Sequence, residues 1–358
     1  MSEKWHFFDK ITFSILLLIV IIGTVLVFSA TYKSEGDLFT KHIIKILFSL
    51  TLFFIVFSVK TQTILRWSTP VFLFFMVVLL IQLFAGRIMA GTKSWIKMGF
   101  LTVQISEFVK ISLALVLARY FVKFSIIDWE NFFRIIGIVF IPFVLIALQP
   151  DLGTAFILLS VLFFAIIIKK IKLSIIFFLI ITITAGAFLL WNYGLKDYQK
   201  KRVVSFLNPE KYSKTSGYQV IQSKIAFGSG GLNGKGFLKG SQSHLKFLPT
   251  RHTDFISSVL GEEFGFMGIT MLLILFFLFF YRQFNFKVRS DEEFYFITLF
   301  NGMLFFQFLI NILMVTGFFP VMGIPLPFVS YGGSSMLAFL IGEGIIFKMK
   351  LNYFISKE

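Results

Sequence analysis

Cysteine is missing from this 358-residue sequence. Its absence excludes disulfides, thiolate zinc sites, iron–sulfur clusters and cysteine nucleophiles. Charged residues are also scarce, at 15% of the chain, whereas a soluble domain has about 25%. The sequence has no HExxH spacing, no G-x-S-x-G elbow, no P-loop and no visible long repeat. The chain is therefore not a water-soluble globule, and these common catalytic signatures do not describe it.

Long apolar runs are abundant instead. Hydrophobic residues make up 57% of the chain, and phenylalanine alone occurs 52 times. Runs of about 18 or more apolar residues are typical of membrane-spanning helices. The pattern predicts an all-α integral membrane protein in which residues 1–358 form a single polytopic domain with about ten transmembrane helices of about 20 residues each. The predicted spans are 11–28, 43–59, 69–85, 104–124, 132–148, 153–168, 173–191, 255–281, 294–317 and 328–347.

The distribution of basic residues predicts the orientation. With the N-terminus inside, fifteen Lys and Arg residues lie at the inner ends and loops, and six lie in the short outer ones. Cytoplasmic loops carry such an excess, so we expect a multi-pass protein of the cytoplasmic (inner) membrane with both termini in the cytoplasm. The net charge is +16, but no nucleic-acid-binding module is recognisable. We therefore expect no nucleic-acid partner.

Residues 193–255 form the one long hydrophilic stretch, and the predicted topology makes it a large extracytoplasmic loop between helices 7 and 8. It contains eleven basic and three acidic residues, a charge that the orientation rule does not explain because long loops translocate regardless of charge. Its glycine-rich part, 228–236, includes Lys235. Such a segment either lets backbone amides approach an anion or is a flexible outer loop.

Asp254 lies where this loop meets an apolar helix, beside Arg251 and His252. Thr253 or Asp254 could cap the helix that begins near Phe255. A carboxylate at the rim of a membrane helix, under a basic loop, could equally act as a general base or a metal ligand. The two roles are compatible.

Glu107 and Lys110 are charged residues inside an otherwise apolar span. Their i, i+3 spacing puts them on one helix face, where they can pair. A charge at this depth costs at least about 2.5–3.5 kcal/mol, so the two residues form either a buried structural ion pair or the floor of a polar cavity. Glu343 in the last span presents the same alternatives, with a structural role favoured.

Two proline-containing segments are predicted to turn at the outer face. One begins at Gln149 and continues through Pro150 and Asp151, and the other leads to Ser330 just before the last helix. Proline and aspartate are ordinary turn and cap residues, so a structural role is the simpler interpretation. We nevertheless keep Gln149 and Ser330 as candidate substrate contacts.

Four stretches together resemble the SEDS family of cell-wall enzymes, and its RodA branch more closely than its FtsW branch. They are 149–154, 217–236, 248–256 and 311–335. The last of them, with its PVMGIPLPF segment, is the most RodA-like. The similarity covers nearly the whole chain in order. It implies ten transmembrane helices with a large outer loop between the seventh and eighth, which agrees with the prediction from the apolar runs.

The resemblance implies a peptidoglycan glycosyltransferase that polymerises lipid II at the outer face of the cytoplasmic membrane during cell elongation and rod-shape maintenance. It implies that Asp254 is the catalytic acidic residue and that Glu107 and Lys110 match the family's polar pair. The implied partners are a class B penicillin-binding protein and other membrane proteins of the elongation complex.

The expected reaction is an inverting displacement on a polyprenyl-diphosphate-linked disaccharide. Asp254 would remove the acceptor proton and could also bind Mg²⁺ or Mn²⁺. Lys110, Lys235 and Arg251 are candidates for contacting phosphate, and His252 is a further candidate for contacting the substrate. A lipid II flippase is the alternative, because intramembrane charges also suit a transporter. Transporters often have paired repeats and interrupted helices, which this sequence lacks. A membrane scaffold without activity is a third interpretation.

Overall fold

The computed structural model describes residues 8–32, 36–85, 87–89, 92–98, 101–195, 197–208, 210–212, 217–245 and 247–355. The chain is predominantly helical. The helices are α1 (Lys10–Thr31), α2 (Gly36–Ser58), α3 (Thr61–Ala85), α4 (Ile105–Phe121), α5 (Trp129–Ala147), α6 (Leu152–Ile168), α7 (Leu173–Leu189), α8 (Asp197–Leu207), α9 (Tyr218–Gly230), α10 (Ser241–His244), α11 (Ile256–Phe284), α12 (Asp291–Thr316) and α13 (Gly333–Ile355). A five-residue π-helical turn, Leu190–Gly194, extends α7.

Each of the ten predicted spans coincides with one long helix, namely α1 to α7 and α11 to α13. Seven of the described helices are long and apolar enough to cross a membrane. The central helix α4 and the apolar helix α6 are shorter, with 17 residues each. The prediction of an all-helical integral membrane fold is confirmed.

The structure differs from the sequence prediction in its short elements. Strands β1 (Arg87–Met89), β2 (Thr92–Met98) and β3 (Leu101–Gln104) form an antiparallel sheet between α3 and α4. Strands β4 (Ile126–Ile127) and β5 (Lys170–Ile171) pair in parallel. Pairing of this kind satisfies the backbone amides and carbonyls of the connections. The stretch 193–255, predicted only as a loop, contains α8, α9 and α10.

Helix α4 lies at the centre of the bundle. It packs against α3 and α12, while α2 packs along α13 and α1 along α11. Glu107 and Lys110 are 3% and 1% exposed, so this helix carries two charges into the interior. Glu343 is also buried, where it accepts a hydrogen bond from Gln283 Nε2. The structure thus gives Glu343 a partner on α11, as a structural role would require.

Candidate active site

Asp254 lies in the turn that leads into α11. That helix begins at Ile256 with Phe255 as its N-cap residue and without a side-chain cap. The prediction that Thr253 or Asp254 caps the helix was therefore wrong, because the intervening turn extends to Phe255. The Asp254 side chain is half-buried. Its Oδ2 faces the turn at Gly323, where a methyl group on the glycine would lie only 3.6 Å from that oxygen.

Helix α12 and the segment before α13 hold the Asp254 backbone in place. Asn311 Nδ2 donates to the carbonyl of Asp254 at 2.8 Å and to the carbonyl of Ile324 at 2.7 Å. Ser330 Oγ donates to the carbonyl of Thr253 at 2.6 Å and accepts from the amide of Leu326 at 2.8 Å. Ser330 thus joins the two segments, and its proposed contact with substrate stays a prediction.

The Glu107–Lys110 pair connects to the same region. Lys110 Nζ lies 2.7 Å from Glu107 Oε2 and donates to Gln307 Oε1 at 2.8 Å. Gln307 Nε2 in turn donates to the carbonyl of Pro325 at 3.0 Å. Gln307 and Asn311 are one turn apart on α12, so one face of this helix links the ion pair to the segment that faces Asp254. Helix α12 thus contacts both the ion pair and the turn that contains Asp254.

Asp151 is hydrogen-bonded to the residue that precedes α4. Its carboxylate caps α6 by accepting from the amide of Thr154 at 3.2 Å, and it accepts from Gln104 Nε2 at 2.6 Å. Burial raises the pKa of Asp151, and the negative charge of Glu107 adds to that shift. The hydrogen bonds from Thr154 and Gln104 oppose the rise without cancelling it.

Three other candidate residues make contacts to the scaffold. Gln149 is buried, and its Nε2 donates to the carbonyl of Leu79 on α3 at 3.0 Å. Arg251 is buried, and its Nε donates to the carbonyl of Ala30 at the end of α1 at 2.8 Å. Lys235 Nζ pairs with Glu262 Oε1 at 2.7 Å. Their proposed contacts with substrate stay predictions.

His252 lies next to the N-terminus of α13. Its carbonyl accepts from the amide of Tyr331 at 2.8 Å, and its ring lies edge-on to the Tyr331 ring at 5.7 Å between centroids. The turn that contains Asp254 is thereby attached to the start of the last helix. The predicted contact between His252 and substrate is not tested by this geometry.

The glycine-rich segment 228–236 is a packed turn. The amide of Gly234 donates to the carbonyl of Gly230 at 2.8 Å, and those of Lys235 and Gly236 donate to α11 at 3.0 and 2.9 Å. The anion-cradle interpretation of these amides was wrong, because their hydrogen bonds are already made within the protein. The flexible-loop alternative does not describe the segment either, since the amides of Phe266 and Met267 on α11 donate to the carbonyls of Gly231 and Leu232 at 2.9 and 3.1 Å.

The donor set limits the kind of metal site that can form. Among the described residues, no group of three or more His, Asp or Glu side chains is arranged to hold a metal ion. Mg²⁺ usually binds through one or two carboxylates together with substrate phosphates. The single carboxylate of Asp254 therefore fits an ion whose remaining ligands come from a diphosphate, but not an ion held by protein alone.

Comparison with known proteins decides the family. Residues 9–353 match the profile of the FtsW/RodA/SpoVE family of cell cycle proteins. This chain belongs to that family. It is 34% identical over 352 residues to the peptidoglycan glycosyltransferase MrdB of Escherichia coli K12, covering 96% of this chain and 95% of the relative. The resemblance to the SEDS family, and the glycosyltransferase activity expected from it, are confirmed at this level.

Solved structures of similar proteins have the same fold. One chain of a peptidoglycan synthase complex, in which polymerization and crosslinking are coordinated, superposes with a TM-score of 0.84 at 27% identity, covering 97% of this chain and 98% of that one. The rod shape determining protein RodA of Thermus thermophilus superposes with a TM-score of 0.74 at 26% identity, covering 97% and 98%. These likenesses extend over the whole bundle described above.

Gln307 and Asn311 are site residues that the sequence analysis missed. They are polar residues at i and i+4 in an apolar span, a signal comparable to that of Glu107 and Lys110. Uncharged amides are less conspicuous in an apolar run than a carboxylate or an ammonium group. Their role became visible only through the contacts with Lys110 and with the segment before α13.

Proposed function

We propose that this membrane glycosyltransferase polymerises lipid II at the outer face of the cytoplasmic membrane, with Asp254 as the general base. The observation that carries the proposal is the half-buried Asp254, whose backbone is fixed by Ser330 and by Asn311. Asn311 lies on the helix that also bonds to the buried Glu107–Lys110 pair. A carboxylate held in this way at the end of a membrane helix can meet a sugar whose lipid tail stays in the bilayer.

The chemistry requires little more than positioning and one base. The acceptor hydroxyl oxygen forms a bond to the anomeric carbon of the donor, and the bond from that carbon to the diphosphate oxygen breaks. The Asp254 carboxylate takes the hydroxyl proton, a contribution typically worth about 10²–10⁴-fold. The electron pair leaves with the polyprenyl diphosphate, already a good leaving group, so no paired carboxylic acid is needed at that oxygen. A single displacement inverts the anomeric centre.

The remaining residues shape the site in this proposal. The neutralised Glu107–Lys110 pair forms the floor of the cavity, with Lys110 turned towards Gln307. His252 and Ser330 border the Asp254 turn and would contact the sugar or its diphosphate. Gln149 and Arg251 hold the surrounding helices. Asp254 would hold a divalent cation such as Mg²⁺ or Mn²⁺ together with the substrate phosphates, and the ion would supply positive charge next to the leaving group.

The finer biological setting is also proposed. We infer that the chain works in cell elongation with a class B penicillin-binding protein and other membrane proteins of the elongation complex. The similar synthase complex, in which polymerization and crosslinking are coordinated, supports a crosslinking partner. The excess of basic residues at one set of helix ends supports cytoplasmic termini in the inner membrane.

Polymerisation by the purified full-length chain tests the base. With lipid II as substrate, the wild type should form glycan strands, and Asp254→Asn and Asp254→Ala should lose at least about 10²-fold in rate because the proton acceptor is gone. Asp197→Asn is the matched control, because Asp197 is an exposed aspartate of the same outer segment. Full activity of either Asp254 variant would exclude the base role.

The same preparation distinguishes the flippase alternative. Lipid II placed in one leaflet of a vesicle should be polymerised by the reconstituted protein. Exchange of lipid II between leaflets without glycan formation would instead identify a transporter. A protein that does neither alone, but is needed for a transpeptidase to bind the membrane, would be a scaffold.

A further inference from the structure

Two of the basic residues proposed from the sequence as phosphate contacts are already neutralised by carboxylates of the protein. Lys110 pairs with Glu107 and Lys235 pairs with Glu262, each at 2.7 Å. An ammonium group that already has a carboxylate partner gains less interaction energy from a phosphate than an ammonium group without such a partner. The substrates of the proposed reaction carry a diphosphate each, so the outer face of this protein needs positive charge from elsewhere.

Lys45 is a buried cation that has no such partner. It lies in α2 with 8% of its surface exposed. Its Nζ donates to the hydroxyl of Tyr331 at 3.0 Å and lies 4.6 Å from the centroid of that ring. No carboxylate among the described residues forms an ion pair with it. Burying an ammonium group without a counter-ion is costly.

The N-terminus of α13, which lies next to Lys45, increases the cost of burying its ammonium group. Helix α13 begins at Gly333, and a methyl group on Gly333 would lie 3.3 Å from Lys45 Nζ. The N-terminus of a helix carries partial positive charge and amides without intrahelical acceptors. A lysine ammonium therefore lies at the positive end of a 23-residue helix. The two repel each other unless an anion binds both.

His42 adds hydrogen-bonding groups to the same place. It lies three residues before Lys45, on the same face of α2, and is 1% exposed. Neither of its ring nitrogens has a hydrogen-bond partner within the described part of the chain. Its ring lies 5.5 Å from that of Tyr331, between centroids. Buried polar groups are almost always satisfied, so these nitrogens indicate a ligand.

We propose that His42, Lys45, Tyr331 and the first amides of α13 form a binding site for phosphate groups of a lipid, occupied by the diphosphate of a polyprenyl-linked sugar. The identity of this occupant rests on the proposed function. Polymerisation joins two lipid-linked molecules, so two diphosphates are present at the outer face during each step. The site is continuous with the catalytic turn, because Tyr331 N donates to the carbonyl of His252 at 2.8 Å.

Binding of a short isoprenoid diphosphate tests the site. The probe is labelled farnesyl diphosphate, added to the full-length protein in phosphatidylcholine nanodiscs. Lys45→Met should weaken binding roughly ten- to hundredfold, the loss expected for a charge-assisted contact, and Lys45→Arg should keep most of the affinity. Lys60→Met is the control, because Lys60 is an exposed lysine just beyond the other end of α2. It should bind like the wild type.

Competition identifies the occupant. Inorganic diphosphate and phosphatidylglycerol should each displace the probe poorly if the site takes a polyprenyl diphosphate. Equal competition by phosphatidylglycerol would make the site a phospholipid headgroup site and would overturn the assignment. Equal competition by inorganic diphosphate would make it a free-phosphate site, with the same consequence. Unchanged binding by Lys45→Met would overturn the site itself.

Thermal unfolding separates a binding role from a structural one. Without ligand, Lys45→Met should unfold at the same or a higher temperature than wild type, because it removes an uncompensated buried charge. Farnesyl diphosphate should raise the Tm of the wild type but not that of Lys45→Met. A lower Tm of the ligand-free variant would mean that the lysine is structural. His42→Phe keeps the ring packing and should also weaken binding, so the proposal does not depend on one variant.

The proposed function and the proposed diphosphate site can be contradicted independently of each other. Asp254→Asn should lose polymerisation, and the binding of farnesyl diphosphate that it retains should still be weakened by Lys45→Met. A wild type that binds the probe but forms no glycan would contradict only the proposed function. Polymerisation by Lys45→Met with an unchanged KM for lipid II would contradict only the diphosphate site.

Discussion

At the scale of single residues, the central feature is a pair of opposite charges inside an apolar helix. Glu107 and Lys110 are buried, and each is neutralised by the other. Lys110 Nζ also donates a hydrogen bond to Gln307 Oε1 on α12. The charges of the pair therefore cost less than isolated ones would, and the pair joins α4 to α12.

Removing one member of the pair should destabilise the protein strongly. Glu107→Gln leaves the Lys110 ammonium buried beside neutral groups, and we expect a loss of about 3–5 kcal/mol in unfolding free energy. The double variant Glu107→Gln/Lys110→Met removes both charges and should recover most of this loss. Thermal unfolding in detergent measures the difference. Equal destabilisation by the single and double variants would contradict the expectation.

Some charged site residues could be predicted from the sequence, whereas another could not. Asp254, Glu107 and Lys110 were predictable because a charged residue in or beside an apolar run is expensive. Lys45 was counted only as a basic residue of an outer segment, because its partner Tyr331 is 286 positions away along the chain. Contacts over such separations follow from helix packing, which a single sequence does not specify.

At the scale of elements, the glycine-rich turn 228–236 and a bend in α11 fit each other. Gly265 interrupts α11 with a φ of 66°, so the expectation from the sequence that no helix is interrupted was wrong. A methyl group on Gly265 would lie 2.5 Å from the carbonyl oxygen of Leu232. A methyl group on Gly234, whose φ is 80°, would lie 2.1 Å from the carbonyl oxygen of Glu263. Glycine is needed at both positions for backbones to meet and for positive φ.

Substitution of these glycines should disrupt the docking. We expect Gly234→Ala to destabilise the protein by at least about 1–2 kcal/mol from the left-handed backbone alone, with the steric overlap added. Gly228→Ala is the matched control, since Gly228 is in α9 with open space around it. It should be neutral or stabilising by about 0.5–1 kcal/mol. A similar Tm for both variants, measured by thermal unfolding, would refute the docking argument.

The long helices were predictable because each is marked by an apolar run. The ends of these helices were harder to predict. Helix α2 begins at Gly36 and not at 43, and the prediction missed its start because Lys41, His42 and Lys45 break the apolar pattern in its first turns. The strands β1 to β3 and the helices α8 to α10 were missed. Such short elements lack a long apolar pattern, and tertiary contacts determine them.

At the scale of the whole molecule, several candidate site residues join different helices near the end of the bundle where α11 begins. Arg251 bonds to the end of α1, Ser330 joins the segment before α13 to Thr253, and Gln149 joins the turn before α6 to α3. At the opposite end, Asp9 before α1 pairs with Arg282 near the end of α11 at 2.8 Å. The proposed orientation puts the end with the Asp254 turn outside the cytoplasm and the end with Arg282 inside it.

Reporter fusions test this orientation. Alkaline phosphatase inserted after Tyr212, between α8 and α9, should be active because that segment is expected outside the cytoplasm. The same enzyme fused after Ile355, at the end of α13, should be inactive, whereas green fluorescent protein fused there should fluoresce. The reverse pattern would place the Asp254 turn in the cytoplasm and exclude polymerisation at the outer face.

The brevity of α4 has a consequence for substrate access. Its 17 residues give a length of about 26 Å, less than the roughly 30 Å of a bilayer's hydrocarbon core. Since α4 is enclosed by other helices, protein and not lipid makes up the difference, and under the proposed function we expect the outer end of the bundle to be open to a substrate headgroup there. A lipid-anchored sugar can then approach the turn that contains Asp254 by lateral diffusion, without lifting its tail out of the membrane.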